Sequence, residues 1–579
     1  MLAPLLALLT LASPPDLRTH AERSAFLETG RYAEVERLCR DFPRAFPGRV
    51  RCFGFGKTPE GRPMLALAAS ADGALDAKAA RARKRPVVLL QGGIHAGEID
   101  GKDAGFLALR ELLSQGRSSP LAKVTVVFVP VYNADGHERF GPHGRPNQRG
   151  PKEMGWRTTG QNHNLNRDYA KADAPETQAL LRLLGDWDPI VYADLHVTDG
   201  AKFEHDAGIV VAPMLAGADA LRPEGAALAD ALVERLTAAG NLPLPFYPAF
   251  VKHDDPSSGV EVGTPPVRYG NGYWAARNRI GILLETHSWR PYPHRVELTR
   301  RFIHALVSLA AERGTRWTAA AARADEEPLA GLPLTLAWKA GETPRTFDFR
   351  GYAYVRERSP ISGGIVTRYD EGRPERWKLP LFDTVVPETT VTLPRGGWIV
   401  PAAHAEWVAE KLRLHGVRFE RLERAQPRHA VEAFRASEAT FAPRSFEGRQ
   451  LLTVKGAWSA EQEDLAAGAL YVPVAQPAAR LAAQLLEPLS PDSFLAWGFF
   501  NGAFERKEYL EAYVTEVFAE ELLAKDPAVK AEFERRLAED PAFAKSPEER
   551  LLFFYRRHPS WDVRYRRYPV VRVDARPVA

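Results

Sequence analysis

The sequence predicts an α/β domain with a mixed, largely parallel central sheet and helices on both faces, followed by an α+β C-terminal region. Between about residues 86 and 311, short apolar segments alternate with stretches of helical periodicity. These segments are continuous apolar runs, which is typical of strands buried on both faces of a sheet. Beyond residue 345 the alternation gives way to a strand meander and then to helices.

The first elements are a helix and a hairpin. Residues 16–45 carry apolar side chains at helical spacing, and two apolar segments, Val50–Gly54 and Met64–Ala68, flank a Pro/Gly turn. The α/β alternation follows, and its predicted strands are Val87–Leu90, Val124–Val129, Ile190–Leu195, Ile209–Val211 and Ile280–Leu284. Its predicted helices lie near residues 101–115, 175–185, 216–239 and 295–313.

The second half of the chain begins after a predicted boundary. Residues 316–345 are polar, rich in alanine and contain prolines, so we expect a linker there. Strands are predicted at Phe347–Val355, Trp377–Leu381, Val391–Leu393 and Trp398–Val400, and helices at 405–415 and over much of 477–555. The predicted division is a helical segment over 13–49, the α/β domain over 50–315, the linker, and an α+β region of unassigned role over 346–579.

Composition excludes several classes of protein. The 77 Lys+Arg and 73 Asp+Glu give a net charge of +4, and 45% of the residues are hydrophobic, so the chain is neither disordered nor fibrous. It has no stripe of basic and aromatic residues, and we expect no nucleic-acid partner. Two cysteines are too few for a cysteine-based zinc finger, so a metal would be held by His, Asp or Glu.

The N-terminus predicts export. Residues 2–11 form an apolar run that is too short to span a bilayer, which takes about 20 residues. The run is typical of a secretory signal peptide over residues 1–12, although no Lys or Arg precedes it; an apolar first helix is the alternative. We expect a secreted or periplasmic protein without an integral membrane segment. Cys39 and Cys52 could pair in such a protein, or could be two small buried residues.

Two predicted strands end in side chains that bind metals. His95 and Glu98 follow the first buried strand through a glycine turn, and His196 ends another strand. Ligands in α/β proteins bind beyond the carboxyl ends of such strands. Two histidines and a carboxylate, with one open position, are the protein ligands of a catalytic zinc. The sequence therefore predicts one Zn²⁺ per chain, held by these three residues.

Six motifs follow one another in an order that resembles a known family. They are Gly56–Pro63 in the first hairpin, His95–Glu98, Asn133–Gly136, the pair Asn166-Arg167, His196, and Leu283–Thr286 on a strand. This series resembles the zinc carboxypeptidases, of which carboxypeptidase A is the type member. The resemblance covers about residues 50–315 and implies that they form a carboxypeptidase-like catalytic domain.

The resemblance implies hydrolysis of the C-terminal peptide bond of peptides by a metal-activated water. Glu285 would be the general base that takes the proton from this water and passes it to the leaving amine. Arg157 aligns with the arginine that stabilises the oxyanion, and Arg149 is the competing position. Asn166 and Arg167 would bind the free carboxylate of the substrate, because a guanidinium fork matches a carboxylate.

Other assignments stay open at this stage. Tyr269 or Tyr273 would be the mobile tyrosine that closes over the substrate, and Tyr269 is preferred. The family usually has Asp where this chain has Asn164, behind the first metal histidine; an amide carries no charge, and Asp194 is the alternative source of a carboxylate. The residues that set side-chain preference are expected within about 255–275, but none of them can be assigned.

Two further readings of the function remain. The triplet Asp194–His196 is similar to one in the succinylglutamate desuccinylase and aspartoacylase branch of the same fold. This similarity makes a zinc amidohydrolase or deacylase, acting on N-acyl amino acids or cell-wall peptides, the main alternative. A binding protein that has lost catalysis is less favoured, because the ligands and Glu285 are all present.

Overall fold

The computed structural model describes residues 15–198 and 200–577, so the predicted signal peptide over residues 1–12 lies outside the described residues. The predicted fold class is confirmed: a mixed sheet with helices on both faces is followed by an α+β region. Among the described helices, none is long and apolar enough to cross a membrane.

The first part of the chain contains nine helices and ten strands within the described residues. The helices are α1 (His20–Arg23), α2 (Tyr32–Ala45), α3 (Ala77–Ala82), α4 (Asp100–Ser114), α5 (Ala134–Glu138), α6 (Pro175–Trp187), α7 (Arg222–Ala238), α8 (Gly270–Ala276) and α9 (Tyr292–Asp325). The strands are β1 (Val50–Lys57), β2 (Pro63–Ala69), β3 (Val87–Gly92), β4 (Thr125–Val129), β5 (Val191–Val197), β6 (Ala207–Ala212), β7 (Pro243–Leu244), β8 (Ala249–Phe250), β9 (Val260–Glu261) and β10 (Ile280–Thr286).

Eight of these strands form the central sheet, in the order β1-β2-β4-β3-β5-β10-β6-β7. The four central strands β4, β3, β5 and β10 run parallel. β1 and β2 pair antiparallel with their neighbours, and β6 pairs antiparallel with β10 but parallel with β7. Successive side chains of β3 point to opposite faces: Val88 and Leu90 pack with α4, α7 and α9, whereas Val87 and Leu89 pack with α6. Because both faces are covered, the strands are apolar throughout.

The C-terminal region adds further sheets and helices. Its strands are β11 (Pro333–Ala340), β12 (Arg345–Arg358), β13 (Ile365–Phe382), β14 (Val385–Thr392), β15 (Gly397–Val400), β16 (Glu420–Arg421), β17 (Gln426–Phe441), β18 (Leu452–Leu465), β19 (Leu470–Pro473) and β20 (Val571–Val573). Its helices are α10 (Ala405–Leu414), α11 (Ala479–Leu486), α12 (Ala512–Lys525), α13 (Pro527–Glu539), α14 (Pro541–Lys545) and α15 (Pro547–Tyr555). The long pair β17–β18 lies where the sequence pattern predicted no strand.

The C-terminal region is joined to the first part by strands and by a shared core. Strand β13 pairs with β9, which extends the β12–β13 hairpin into a four-stranded sheet with β8 and β9. One hydrophobic cluster contains Leu180 and Leu184 of α6 together with Val408 and Leu412 of α10. The two regions therefore share a continuous interior rather than a thin interface.

The predicted linker over residues 316–345 is wrong in this structure. Helix α9 continues to Asp325, and β11 occupies Pro333–Ala340. The extension is stabilised by burial of Trp317, Ala320 and Ala324 against the central sheet's helices. The polar residues of α9 beyond residue 315, which suggested a linker, lie on the exposed side of this amphipathic helix.

Cys39 and Cys52 form a disulfide, which the sequence left open. The bond joins α2 to β1 and closes a loop with a sequence separation of 13. It fastens the N-terminal helical segment to the edge of the central sheet.

Candidate active site

The site forms where the central parallel strands end. Strands β3, β5 and β10 are neighbours, so their carboxyl ends lie at one edge of the sheet. His196 on β5 is directly opposite Glu285 on β10 in the parallel register. His95 and Glu98 follow β3 in the tight segment before α4. Sheet topology thus brings together residues that are up to 190 positions apart in the chain.

The three predicted metal ligands converge on one point. Their donor atoms all lie within 4.8 Å of one another, and all three side chains are buried. Glu98 Oε1 is 2.9 Å from His95 Nδ1, and Glu98 Oε2 is 2.9 Å from His196 Nδ1. Two imidazole nitrogens and a carboxylate facing each other are a donor set that suits zinc.

The far side of each imidazole meets its own partner. Asn164 Oδ1 accepts from His95 Nε2 at 3.1 Å, and Asp194 Oδ2 lies 2.9 Å from His196 Nε2. Asp194 thus lies on the same face of β5 as His196, as predicted, and its carboxylate supports the second histidine, whereas His95 is left with the amide of Asn164. With an ion bound at Nδ1 of each ring, these contacts would accept the proton carried by Nε2.

The charges of the ligands are set by burial and by their neighbours. Burial lowers the pKa of His95, which favours the neutral imidazole that binds a metal. Burial alone would raise the pKa of Glu98, but Arg145 and the two imidazoles hold it well below its usual range. Burial also works against the charged form of His196, yet Asp194 and Glu98 bring its pKa well above the usual value.

Two arginines contact the ligand set, and the sequence analysis identified only one of them. Arg157 lies 3.6 Å from Glu98 Oε1 and 3.4 Å from His95 Nδ1, with its side chain 37% exposed to the cavity. Arg149, its predicted competitor, instead pairs with Glu371 at the surface. Arg145 lies 2.9 Å from Glu98 Oε1 and is nearly buried.

Sequence reasoning missed Arg145 because it sits in an irregular loop between α5 and α6. The one signal was Gly97: a Cβ there would come within 3.0 Å of the Arg145 side chain, so the glycine makes room for it. A glycine between the two metal-ligand positions could have been read as a close approach of another segment.

The predicted substrate-binding residues lie together at one side of the ligand set. Asn166 and Arg167 border the cavity, and the Arg167 guanidinium stacks over the ring of Tyr269 at 4.6 Å. Burial lowers the pKa of Arg167, although it remains a cation at neutral pH. Tyr273 is buried, and its hydroxyl is 3.0 Å from His415 Nδ1, so it is packed in the interior, away from the cavity.

A cavity of about 1150 Å³ opens beside these residues. Its lining includes the metal ligands, Arg157, Arg167 and Glu285, and also residues of the C-terminal region: Leu334, Leu336 and Trp338 on β11, with Arg480 and Asp492. The stretch expected to set side-chain preference contributes Glu261, whereas Asp255 pairs with Arg356 outside it. The C-terminal region therefore forms part of the cavity wall.

The first part of the chain is similar in sequence to known proteins. Residues 35–203 match the sequence model of the zinc carboxypeptidases. Mouse (Mus musculus) carboxypeptidase A4 is 32% identical over 111 residues, which is 18% of this chain and 24% of that protein. The chain thus matches about a quarter of the length of this relative.

Solved structures similar to this chain include a metallo-carboxypeptidase from Burkholderia cenocepacia and carboxypeptidase A from Helicoverpa armigera. The first is 16% identical, with a TM-score of 0.34, and the match covers 47% of this chain and 68% of the other. The second is also 16% identical, with a TM-score of 0.35 and coverage of 52% and 76%.

Proposed function

We propose that this chain is a zinc-dependent metallocarboxypeptidase, because residues 35–203 match the sequence model of the zinc carboxypeptidases. The proposed reaction is hydrolysis of the C-terminal peptide bond of a peptide. The observation that carries the proposal is one buried cluster of His95, Glu98 and His196, with Glu285 beside it and Arg167 in the same cavity.

Each residue has a distinct part in this reaction. Zinc held by the three ligands would supply a Lewis acid that makes water a usable nucleophile at neutral pH. Glu285 lies opposite His196 in the sheet register, where its carboxylate would accept the proton of the attacking water and pass it to the leaving amine. Arg157 would donate to the oxygen that becomes negative, and such a donor typically contributes about 3–4 kcal/mol to lowering the barrier.

Substrate orientation is the part we propose for Asn166, Arg167 and Tyr269. The ring of Tyr269 supports the Arg167 guanidinium from one face, which leaves its donors directed along the plane. A C-terminal carboxylate bound there would place the last peptide bond next to Glu285 and Arg157. The cation then selects substrates with a free carboxylate.

An amide hydrolase acting on N-acyl amino acids or cell-wall peptides is the second candidate. Within this candidate the size of the cavity favours cell-wall peptides over N-acyl amino acids, because about 1150 Å³ lies above the common range of small-molecule sites, about 300–1,000 Å³. Both candidates use the same ligands and the same base, and they differ in what occupies the rest of the cavity.

We also propose that the protein acts outside the cytoplasm. The apolar run at residues 2–11 and the pairing of Cys39 with Cys52 support this location, because disulfides persist in oxidising compartments.

The test is zinc content together with hydrolysis of N-blocked dipeptides whose C-terminus is either free or amidated. We expect one zinc per chain, cleavage of the free acid, and a loss of about 10²–10⁴-fold in kcat for Glu285→Gln. Glu234→Gln, at an exposed position of α7 away from the cavity, is the matched control. Equal cleavage of the amidated dipeptide would contradict the part given to Arg167, and an active Glu285→Gln variant would contradict the base.

A further inference from the structure

The loop between β17 and β18 reaches from the C-terminal region to the metal site. It contains a two-residue turn, Glu447-Gly448, closed by the backbone hydrogen bonds Phe446 N to Arg449 O at 2.8 Å and Arg449 N to Phe446 O at 3.0 Å. We call residues 446–449 the Glu447 turn. Although Glu447 lies 283 residues after Asn164, its Oε1 is only 3.4 Å from Asn164 Nδ2.

The Glu447 turn is held at both ends, by the first part of the chain at Asp173 and by the C-terminal region at Trp497 and Phe499. Arg449 makes two hydrogen bonds to the carboxylate of Asp173, at 2.7 and 2.8 Å, and stacks over Phe499 at 3.5 Å. On the other side the ring of Phe446 stacks on Trp497, with 6.0 Å between the centroids. These contacts fix where the tip of the turn lies relative to Asn164.

Glu447 occupies a backbone position that ordinarily favours other residues. Its φ is +49° and that of Gly448 is +78°, so both central residues of the turn are left-handed. Hairpin turns of this kind prefer Asn-Gly, because an ordinary L side chain is strained in this region. Strained residues of this type persist where the surrounding structure fixes them, and they cluster at functional sites. The contact with Asn164 places Glu447 at such a site.

The contact determines which way the Asn164 amide points. A carboxylate only accepts hydrogen bonds, so the amide must turn its NH₂ group toward Glu447. Its oxygen then faces His95 Nε2 at 3.1 Å, and the backbone N–H of Asn166 donates to the same oxygen at 3.2 Å. His95 consequently keeps its proton on Nε2 and presents Nδ1 to the metal. Hydrogen bonds thus connect Glu447 to Asn164 and Asn164 to His95.

We propose that Glu447 is a positioning residue for the metal site, supplied by the C-terminal region. It orients the Asn164 amide, and through it the tautomer and ring of His95. Asn164 provides a neutral acceptor oxygen to His95, and Glu447 supplies the negative charge behind that amide. This inference rests on the proposed zinc-dependent function.

The test compares zinc affinity among variants of the full chain, measured by competition with a chromophoric chelator. Glu447→Gly removes the hydrogen-bond acceptor, and glycine suits the left-handed backbone at this position. We expect the affinity for zinc to fall about 3–10-fold, which is at or below the lower end of the loss usually seen when a residue supporting a metal ligand is changed. The melting temperature of the zinc-free Glu447→Gly variant should stay equal or rise. Glu447→Gln keeps an acceptor oxygen and should bind zinc within twofold of the wild type.

Two controls complete the experiment. Glu438→Ala removes an exposed carboxylate of β17 that pairs with Lys455, and it should leave zinc affinity unchanged. His95→Ala should abolish tight binding. The inference is overturned if Glu447→Gly binds zinc as the wild type does, if Glu447→Gln is as weak as Glu447→Gly, or if the loss follows a fall in zinc-free melting temperature. If the wild type itself binds no zinc through His95, the proposed function fails instead.

Discussion

Asp194 connects the metal site to a polar group inside the sheet. One of its oxygens lies 2.9 Å from His196 Nε2, and the other accepts from Gln91 Nε2 at 3.1 Å. Gln91 in turn donates to the hydroxyl of Tyr192 at 2.9 Å. These buried bonds hold the carboxylate in line with the imidazole that it supports.

Removing the charge of Asp194 should therefore weaken metal binding. We expect Asp194→Asn to lower zinc affinity about 10–100-fold, because a histidine ligand loses basicity when its carboxylate partner becomes an amide. Chelator competition measures the change, and Asp186→Asn at an exposed position serves as the control. Unchanged affinity in Asp194→Asn would mean that the contact does not tune the ligand.

Glu176 is a buried carboxyl in the first turn of α6. Burial raises the pKa of this carboxyl to about 7, above its value in an unfolded chain. The folded state therefore holds the proton more tightly, and stability falls as the pH rises from about 4.5 to about 7. Glu176→Gln should raise the melting temperature at pH 8 and change it little at pH 4.5. An equal shift at both pH values would contradict the assignment.

Arg295 fastens helix α9 to the N-terminus of α4. Its buried guanidinium lies 2.8 Å from Asp100 and also donates to the carbonyls of Arg149 and Gly150, in the loop that carries Arg145. Arg295→Met leaves the Asp100 carboxylate buried without its cation, which should cost about 3–5 kcal/mol of unfolding free energy. Urea denaturation measures the loss, and Arg316→Ala, at a more exposed position of α9, should change stability far less.

The disulfide acts on the attachment of α2 to β1. In the chain-entropy account, a bond that closes so short a loop stabilises by up to about 3 kcal/mol. We expect Cys39→Ser with Cys52→Ser to lower the melting temperature, and reduction of the wild type to lower it similarly. Reduction should leave the double variant unaffected. A melting temperature insensitive to both changes would show that the bond adds no stability.

The first part of the chain and the C-terminal region share a core. We therefore expect neither part to resist proteases once the other is removed. After a cut near residues 326–332, a fragment released on its own would lose the packing of α6 against α10 and expose Leu180 and Leu184, or Val408 and Leu412. We therefore expect limited proteolysis to give no long-lived fragment that ends between residues 316 and 345. Mass spectrometry of the digest checks this outcome; a persistent fragment of that kind would show that the first part folds independently.

The sequence predicted the parts of this molecule that depend on local pattern. Buried strands such as Val87–Leu90 are continuous apolar runs, so their place in the sheet was readable from the residue types alone. The metal ligands were predicted for a related reason: each lies at or just past the end of such a strand, in a short motif. The part of α9 beyond residue 315 was not predicted to be helical, because its alanine-rich, amphipathic composition resembles that of a linker.

The sequence thus determined the residue types that lie in the site, whereas tertiary structure decided which loops surround them. His95, Glu98, His196 and Glu285 can be read from neighbouring residues in the chain. Arg145 and Glu447 lie in irregular loops. The loop of Arg145 is positioned by its close approach to Gly97, and the loop of Glu447 by its hydrogen bonds to Asp173. Loops have no residue periodicity of their own, so only packing between distant segments brings their side chains to the site.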